Sequence, residues 1–361
     1  MQSRSFTILA AVTVVAVVAA GAVSLNGTTA TGAAVIAPTI LLPGFAGQQA
    51  KVAQIKIQRG SATTVLARDG ARWVIPGRDR YPADADRVNR MIDQIAGLTT
   101  IEVKTKQPEL LSRLDLADVT VPDSKARRIE FDDADGKPLA AVVLGRERFA
   151  QTDADPTGIY VRRADENQAW LARGLVQVAT DELGWTDNKL PEVDPTTVRQ
   201  IALFEPGTPL SGMTAAGLTV TATRPDASHP FEPAKAGDGR IYDQTKLTTI
   251  ASALQTALFA DVKSVASFGT LPEPVATLSL STADGLVVTI DSYEIGASNA
   301  GGTPTVGNTW LAVRATGTGD AKAKADAIAS RTTGWLYQAD SYRLDRFRPK
   351  ADDLFEKPSA S

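Results

Sequence analysis

Few side chains in this chain could do chemistry. His229 is the single histidine and there is no cysteine, so thiol catalysis, disulfides, Cys-based metal sites and any site needing two imidazoles are excluded. His229 sits in Arg224-Pro-Asp-Ala-Ser-His-Pro230, where Ser228 and Asp226 nominally complete a Ser/His/Asp triad. Residues so close on an extended loop are expected to point apart, and no Gly-x-Ser-x-Gly elbow occurs, so a surface-loop histidine is expected. The run Asp132-Asp-Ala-Asp-Gly136 suggests a calcium loop. With Gly136 in the sixth place, that loop would begin at Phe131 and end at Val142, where an acidic ligand and a glutamate are required. A hairpin turn is the expectation instead. The glycine-rich pieces Ser298–Pro304 and Thr316–Asp320 lack the Lys-Ser/Thr of a phosphate loop and are read as turns outside any strand-to-helix context. The pairs Arg127-Arg128 and Arg162-Arg163, and the tail Arg343–Arg348, read as solvated faces. No catalytic, cofactor-binding or metal-ligating residue is therefore assigned, and a non-enzymatic protein without cofactor is expected.

The elements behind these residues follow one pattern twice. Val52-Ala-Gln-Ile-Lys-Ile57 recurs as Val198-Arg-Gln-Ile-Ala-Leu203, each alternating as a half-buried strand does. Tyr81 and Tyr242 each precede an acidic helix start. One helix is predicted over about Asp84–Leu98, with Val88, Met91, Ile92, Ile95 and Leu98 on one face and Asp84 or Asp86 as cap. The other is predicted over about Asp243–Phe259, with Leu247, Ile250, Leu254 and Leu258 as its apolar face. Hairpins follow around Ala134-Asp-Gly136 and Ala283-Asp-Gly285, since Asp-Gly between alternating runs is a strong hairpin signal. A strand beginning at Gly158 and another at Trp310 come next, and each copy closes on Gly-Trp, at Trp185 and Trp335. Trp170 is matched with Trp310 in the same way, and all four are expected to pack in cores. The predicted fold is α+β: two tandem, duplicated modules of antiparallel sheet plus helices after an N-terminal transmembrane helix. The expected division is 1–25 anchor, 26–50 spacer, 51–193 first module, 194–350 second module and 351–361 tail. A net charge of −3 gives no electrostatic case for nucleic acid.

Phe6–Val23 carries no charge. As a helix, its eighteen residues would span roughly 27 Å, close to a hydrocarbon core of about 30 Å. Arg4 precedes it and the next basic residue is Lys51, so the chain beyond should face outward. The rival reading is a cleaved signal peptide, with Ala20-Gly-Ala22 as cleavage site. The run exceeds the usual apolar region of such peptides, which favours retention. Asn26–Gly32 reads by composition as a spacer, and Val35–Phe45 as an extended segment packed on the first module, or else a surface meeting the membrane.

In their order, Leu41–Phe45, Val52–Ile57, Trp73-Val-Ile75, Tyr81–Asp84, Tyr160–Arg163, Ala169–Gly174, Pro274–Thr277 and Asp284–Thr289 resemble the domain-of-unknown-function 4340 family of bacterial envelope proteins. The resemblance covers essentially the whole chain. It implies a membrane-anchored, tandemly repeated protein associated with ABC-type transport systems similar to gliding-motility auxiliary components, and it carries no catalytic residues. The function expected is a periplasmic accessory or binding subunit tethered to the bacterial inner membrane, its partners being ABC permease or ATPase subunits. A structural or assembly factor of the envelope and a carboxylate-based envelope hydrolase are the alternatives. Residues 1–23 should stay on the mature protein and alkaline carbonate should not strip it from membranes. A mature N-terminus at Val23 would mean a cleaved peptide.

Overall fold

A computed structural model of the chain describes residues 35–149, 157–206, 217–234, 241–296, 308–339 and 343–356. The expected anchor, the spacer up to Ala34 and the glycine-rich piece Ser298–Pro304 lie outside these residues. Among the described residues no helix is long and apolar enough to cross a membrane.

Both Asp-Gly turns form, because glycine accepts the left-handed backbone the turn demands: φ is +76° at Gly136 and +89° at Gly285. Asp133 fixes the first turn, its Oδ1 accepting from the amides of Asp135 at 3.0 Å and Lys137 at 2.9 Å. In the second, Asp284 accepts from the Thr282 hydroxyl and the Lys324 ammonium, and these bonds hold its carboxyl down at about 2. Each turn starts an antiparallel meander.

The first sheet comprises β1 (Val35–Ile40), β2 (Gln54–Arg59), β3 (Ala62–Asp69), β4 (Arg72–Ile75), β5 (Tyr81–Pro82), β6 (Thr99–Val103), β7 (Arg127–Asp132), β8 (Pro138–Arg148), β9 (Gly158–Arg163) and β10 (Ala169–Arg173). Its order is β1-β6-β10-β9-β8-β7-β2-β3-β4-β5. The second comprises β11 (Val198–Glu205), β12 (Leu218–Thr223), β13 (Glu232–Pro233), β14 (Phe259–Ser264), β15 (Ala276–Thr282), β16 (Leu286–Ile295), β17 (Asn308–Gly317) and β18 (Trp335–Ala339). Read from its far end, its order is β14-β18-β17-β16-β15-β11-β12-β13. That is the order β6-β10-β9-β8-β7-β2-β3-β4 strand for strand. The architecture is α+β, with two antiparallel sheets and few helices.

Two compact units result. One holds the described residues up to Thr63 together with Asn89–Gln177, and the other holds Thr64–Val88 and the described residues from Val178 on. Residues 64–88 join the second unit through Tyr81, whose ring meets Trp335 edge-on at 4.8 Å and Phe259 at 6.0 Å. In that unit the register aligns Leu203, Leu278, Ile290 and Val313 in one cross-strand row, all buried. Such rows, rather than strand propensity, hold a sheet together. In the first unit, Ile57, Ile129 and Val142 form the equivalent row, and Phe131 stacks on Phe45 at 4.7 Å.

Among the described residues three helices exceed a single turn. Helix α1 is Ala85–Ala96, where Asp84 accepts from the Arg87 amide and the five expected apolar residues are buried. Helix α2 is Gln244–Ala251, capped by Asp243, which accepts from the amides of Thr245 and Lys246. It is shorter than its apolar pattern implied. The chain turns at Thr256, φ +52°, to enter β14, so Leu254 is buried from the loop instead and Leu258, expected on the same face, is 40% exposed. Helix α3, Ala321–Thr332, lies between β17 and β18, where the first module has only the short β9–β10 connection. This insertion corrects the tryptophan matching. Trp335 opens β18, the counterpart of the β10 strand that carries Trp170, whereas Trp185 follows β10 in a short turn, Leu183–Trp185. Trp185 and Trp310 are buried, while Trp170 and Trp335 are half-buried.

Phe131→Ala should cost about 3–5 kcal/mol in urea unfolding, because the ring is fully buried and its loss leaves Phe45 facing a cavity. Phe149→Ala, at a ring 64% exposed, should stay within about 0.5 kcal/mol. Equal effects would contradict this packing.

Candidate binding cleft

In the first unit, Pro43 and Gly44 turn the chain sharply after β1, and the amides of Phe45 and Ala46 both donate to the Leu42 carbonyl. Arg163, at the end of β9, pins this turn by donating Nε to the Leu41 carbonyl at 2.9 Å. Leu41, Leu42 and Phe45 are buried beneath it. Between the turn and the first residues of β8 lies a cleft of about 430 Å³, the size range of small-molecule sites. Its walls include Pro43, Phe45, Leu139 and Ala140, and its polar groups are Arg128, Arg163 and Asp165. Both guanidiniums are already engaged by carboxylates, Arg128 by Glu130 at 2.6 Å and Arg163 by Glu166 at 2.9 Å. The lining offers no hydroxyl, imidazole or ammonium. It can hold an apolar segment and orient a polar end, but it does not pair a nucleophile with a base.

The arginines are not all solvated faces, which corrects the sequence expectation. Arg162 is 6% exposed and turns inward, donating to the carbonyls of Leu116, Ala164 and Glu166. It closes a loop over Leu116 and Val119, and burial pushes its guanidinium pKa down. Arg127 donates to the Gly145 carbonyl at 3.0 Å, Arg343 to that of Thr256 at 3.1 Å, and Arg348 pairs with Glu294.

The Asp226, Ser228 and His229 side chains do converge, contrary to the expectation of an open loop. The segment is a tight turn built on Asp226, whose Oδ1 accepts from the Ser228 amide at 2.8 Å, the Ser228 hydroxyl at 2.6 Å and His229 Nδ1 at 2.8 Å. These bonds hold the Asp226 carboxyl far below its usual range. Ser228 Oγ also lies 3.3 Å from His229 Nδ1, but the geometry is not that of a triad, because serine and aspartate meet the same ring nitrogen instead of opposite ones. Ser228 and His229 are also exposed, and Asp226 is half-buried.

Thr316–Asp320 likewise differs from expectation, running from the end of β17 into α3. The strand-to-helix context is present, but Ala321-Lys322-Ala323 follows in place of Lys-Ser/Thr. Asp132, from the suspected calcium run, pairs with Lys56 at 2.9 Å. Among the described residues no group of three acidic or imidazole side chains could hold a metal ion. The buried carboxylates are dispersed: Glu102 meets Lys104 and Arg148, and Asp291 accepts from Thr277 and Arg314. A second cleft, of about 350 Å³ in the second unit, brings Asp84 and Asp187 into one lining with Tyr81 and Arg331. Asp84 is occupied in capping α1, and Asp187 faces Arg331 at 3.5 Å.

Arg163→Ala should cost about 1 kcal/mol and speed amide exchange at Phe45 and Ala46, since the pinned turn loses its side-chain donor. Unchanged exchange there would show that the turn is held by its buried side chains alone.

The model of a family described as "Domain of unknown function (DUF4340)" matches residues 73–274, a narrower span than the whole-chain resemblance. No curated protein and no solved structure matches the chain.

Proposed function

The chain belongs to the family described as domain of unknown function (DUF4340), and on that premise we propose that it is a non-enzymatic accessory or binding subunit of an ABC-type transport system. It is tethered to the inner membrane by a transmembrane helix over Phe6–Val23, with the bulk of the chain in the periplasm. One observation carries this reading: residues 5–50 contain no charged side chain, in a protein where 22% of residues are charged. Such a tract is out of keeping with an ordinary solvated terminus and fits an anchor with a short leash. The matching strand order supports two copies of one duplicated module beyond the leash.

Binding is favoured over catalysis by the character of the first-unit cleft. Its walls are apolar and both its guanidiniums are already matched, an arrangement suited to holding a partner segment. The transport association rests on the resemblance to gliding-motility auxiliary components. A carboxylate-based hydrolase is the weaker reading, because the buried acids are each held by a cation and lie on separate strands.

Affinity capture of the full chain from gently solubilised membranes should recover a permease or ATPase subunit. Recovery of wall or outer-membrane proteins alone would favour an envelope assembly factor, and recovery of no transporter subunit would sink the transport reading.

A further inference from the structure

We propose that β1 and the turn after it form a lipid-contacting edge, which lies on the outer surface of the bilayer that anchors the chain. The inference rests on the membrane-tether reading and adds to it a specific face of the first unit.

The first observation is exposure. β1 is the outermost strand of its sheet, paired on one side only, with β6. Ala37, Pro38, Thr39 and Ile40 are exposed, with Ile40 at 46%. After the buried Leu41 and Leu42, the surface continues through Pro43, Gly44, Ala46 and Gly47. No charged side chain interrupts this surface before Lys51. An apolar, charge-free stretch on a sheet margin normally meets something other than water.

The second observation selects the occupant. An added β-strand would need a regular row of free backbone donors and acceptors. β1 does not offer one, because Pro38 has no amide proton and the pairing with β6 slips between Val35 and Thr39. What β1 does offer is apolar side chains, which suit a lipid surface, where burial gains roughly 25 cal/mol per Å² without any strand register.

The third observation is reach. Eleven residues, 24–34, separate the end of the apolar stretch from β1. Even fully extended they span at most about 40 Å. β1 is thus the first described element beyond the tether, and it lies within that reach of the membrane.

The fourth observation is the border of this edge. Val35 aligns with Glu102, and the Glu102 carboxylate is shared by Lys104 and Arg148. Lys104 and Arg146 lie over the Tyr160 ring, and Phe149, next to Arg148, is 64% exposed. Aromatic and basic side chains together are what the boundary between lipid and water favours.

The absence of cysteine makes a direct test available. Ile40→Cys and, separately, Ala37→Cys each place one unique thiol on the edge. Ser61→Cys places one in the β2–β3 turn, at least six strand spacings or about 29 Å from β1. Each full-length variant carries an environment-sensitive fluorophore and is reconstituted into vesicles containing phosphatidylglycerol and acyl-brominated lipid. The proposal expects blue-shifted, strongly quenched emission at positions 37 and 40 and neither effect at 61. Protein that floats with the vesicles but shows no quenching at 37 or 40 overturns the contact and leaves the tether standing. Equal quenching at all three positions also overturns it, since the contact would not be specific to this edge. Protein that does not float with the vesicles overturns tether and contact together.

Discussion

In each module a helix delivers a strand, β6 after α1 and β14 after α2, whose outer backbone margin has to be covered. Much of what is unusual in this chain serves that requirement. β6 is covered by β1, which joins it through backbone pairing and a Thr39–Thr100 hydroxyl contact. β14 is covered by residues 78–81 in a different manner. Asp79 accepts from the Ser264 amide and the Ser267 hydroxyl, Arg78 pairs with Asp261, and Tyr81 packs on Phe259. The first solution is a strand and the second is a turn that uses side chains. Asp79 and Arg80 both hold positive φ to make that turn, a conformation that non-glycine residues adopt at a cost and that the contacts to β14 offset.

Polar groups that are buried in these units follow one economy. Arg162 directs its donors to carbonyls of two segments without regular structure, at Leu116 and at Ala164 and Glu166, which would otherwise be short of partners. Asp132, Glu102 and Asp291 each lie close to a cation, so none carries an uncompensated buried charge. This is the pattern of groups that hold structure. A proton-transfer site needs carboxylates whose surroundings push their affinities apart, and these are spread over three strands.

Local chemistry was the legible part of the sequence. Asp84 read correctly as a cap, the Asp-Gly turns as hairpins, and the apolar face of α1 as buried, because each signal lies within a few residues. Helix α3 was not legible, since its inward face is Ala321, Ala325, Ile328 and Thr332, with one large apolar side chain, too little to register as an apolar stripe. Its insertion then shifted the tryptophan matching by one strand. The turn at Asp226 was misjudged because one carboxylate gathers three donors within a loop that composition alone presents as open. Sheet order lay beyond local reading altogether: that β6 sits between β1 and β10 is fixed by pairings far apart in sequence. Of the candidate cleft, only the Leu41–Phe45 piece stood out in advance, and nothing in the spacing announced that Arg163 would reach it.

The placing of residues 64–88 with the second unit has a consequence for how this protein can be taken apart. A cut at the linear midpoint, near Leu190–Pro195, would leave a C-terminal fragment without Arg78, Asp79 and Tyr81. The outer margin of β14 would then be bare, its Ser264 amide and Phe259 ring open to whatever strand arrives first. The two halves of the repeat are thus unequal in autonomy. The later half borrows its finish from the earlier one, and a dissection that keeps both intact has to follow the chain's excursion and cannot follow its symmetry.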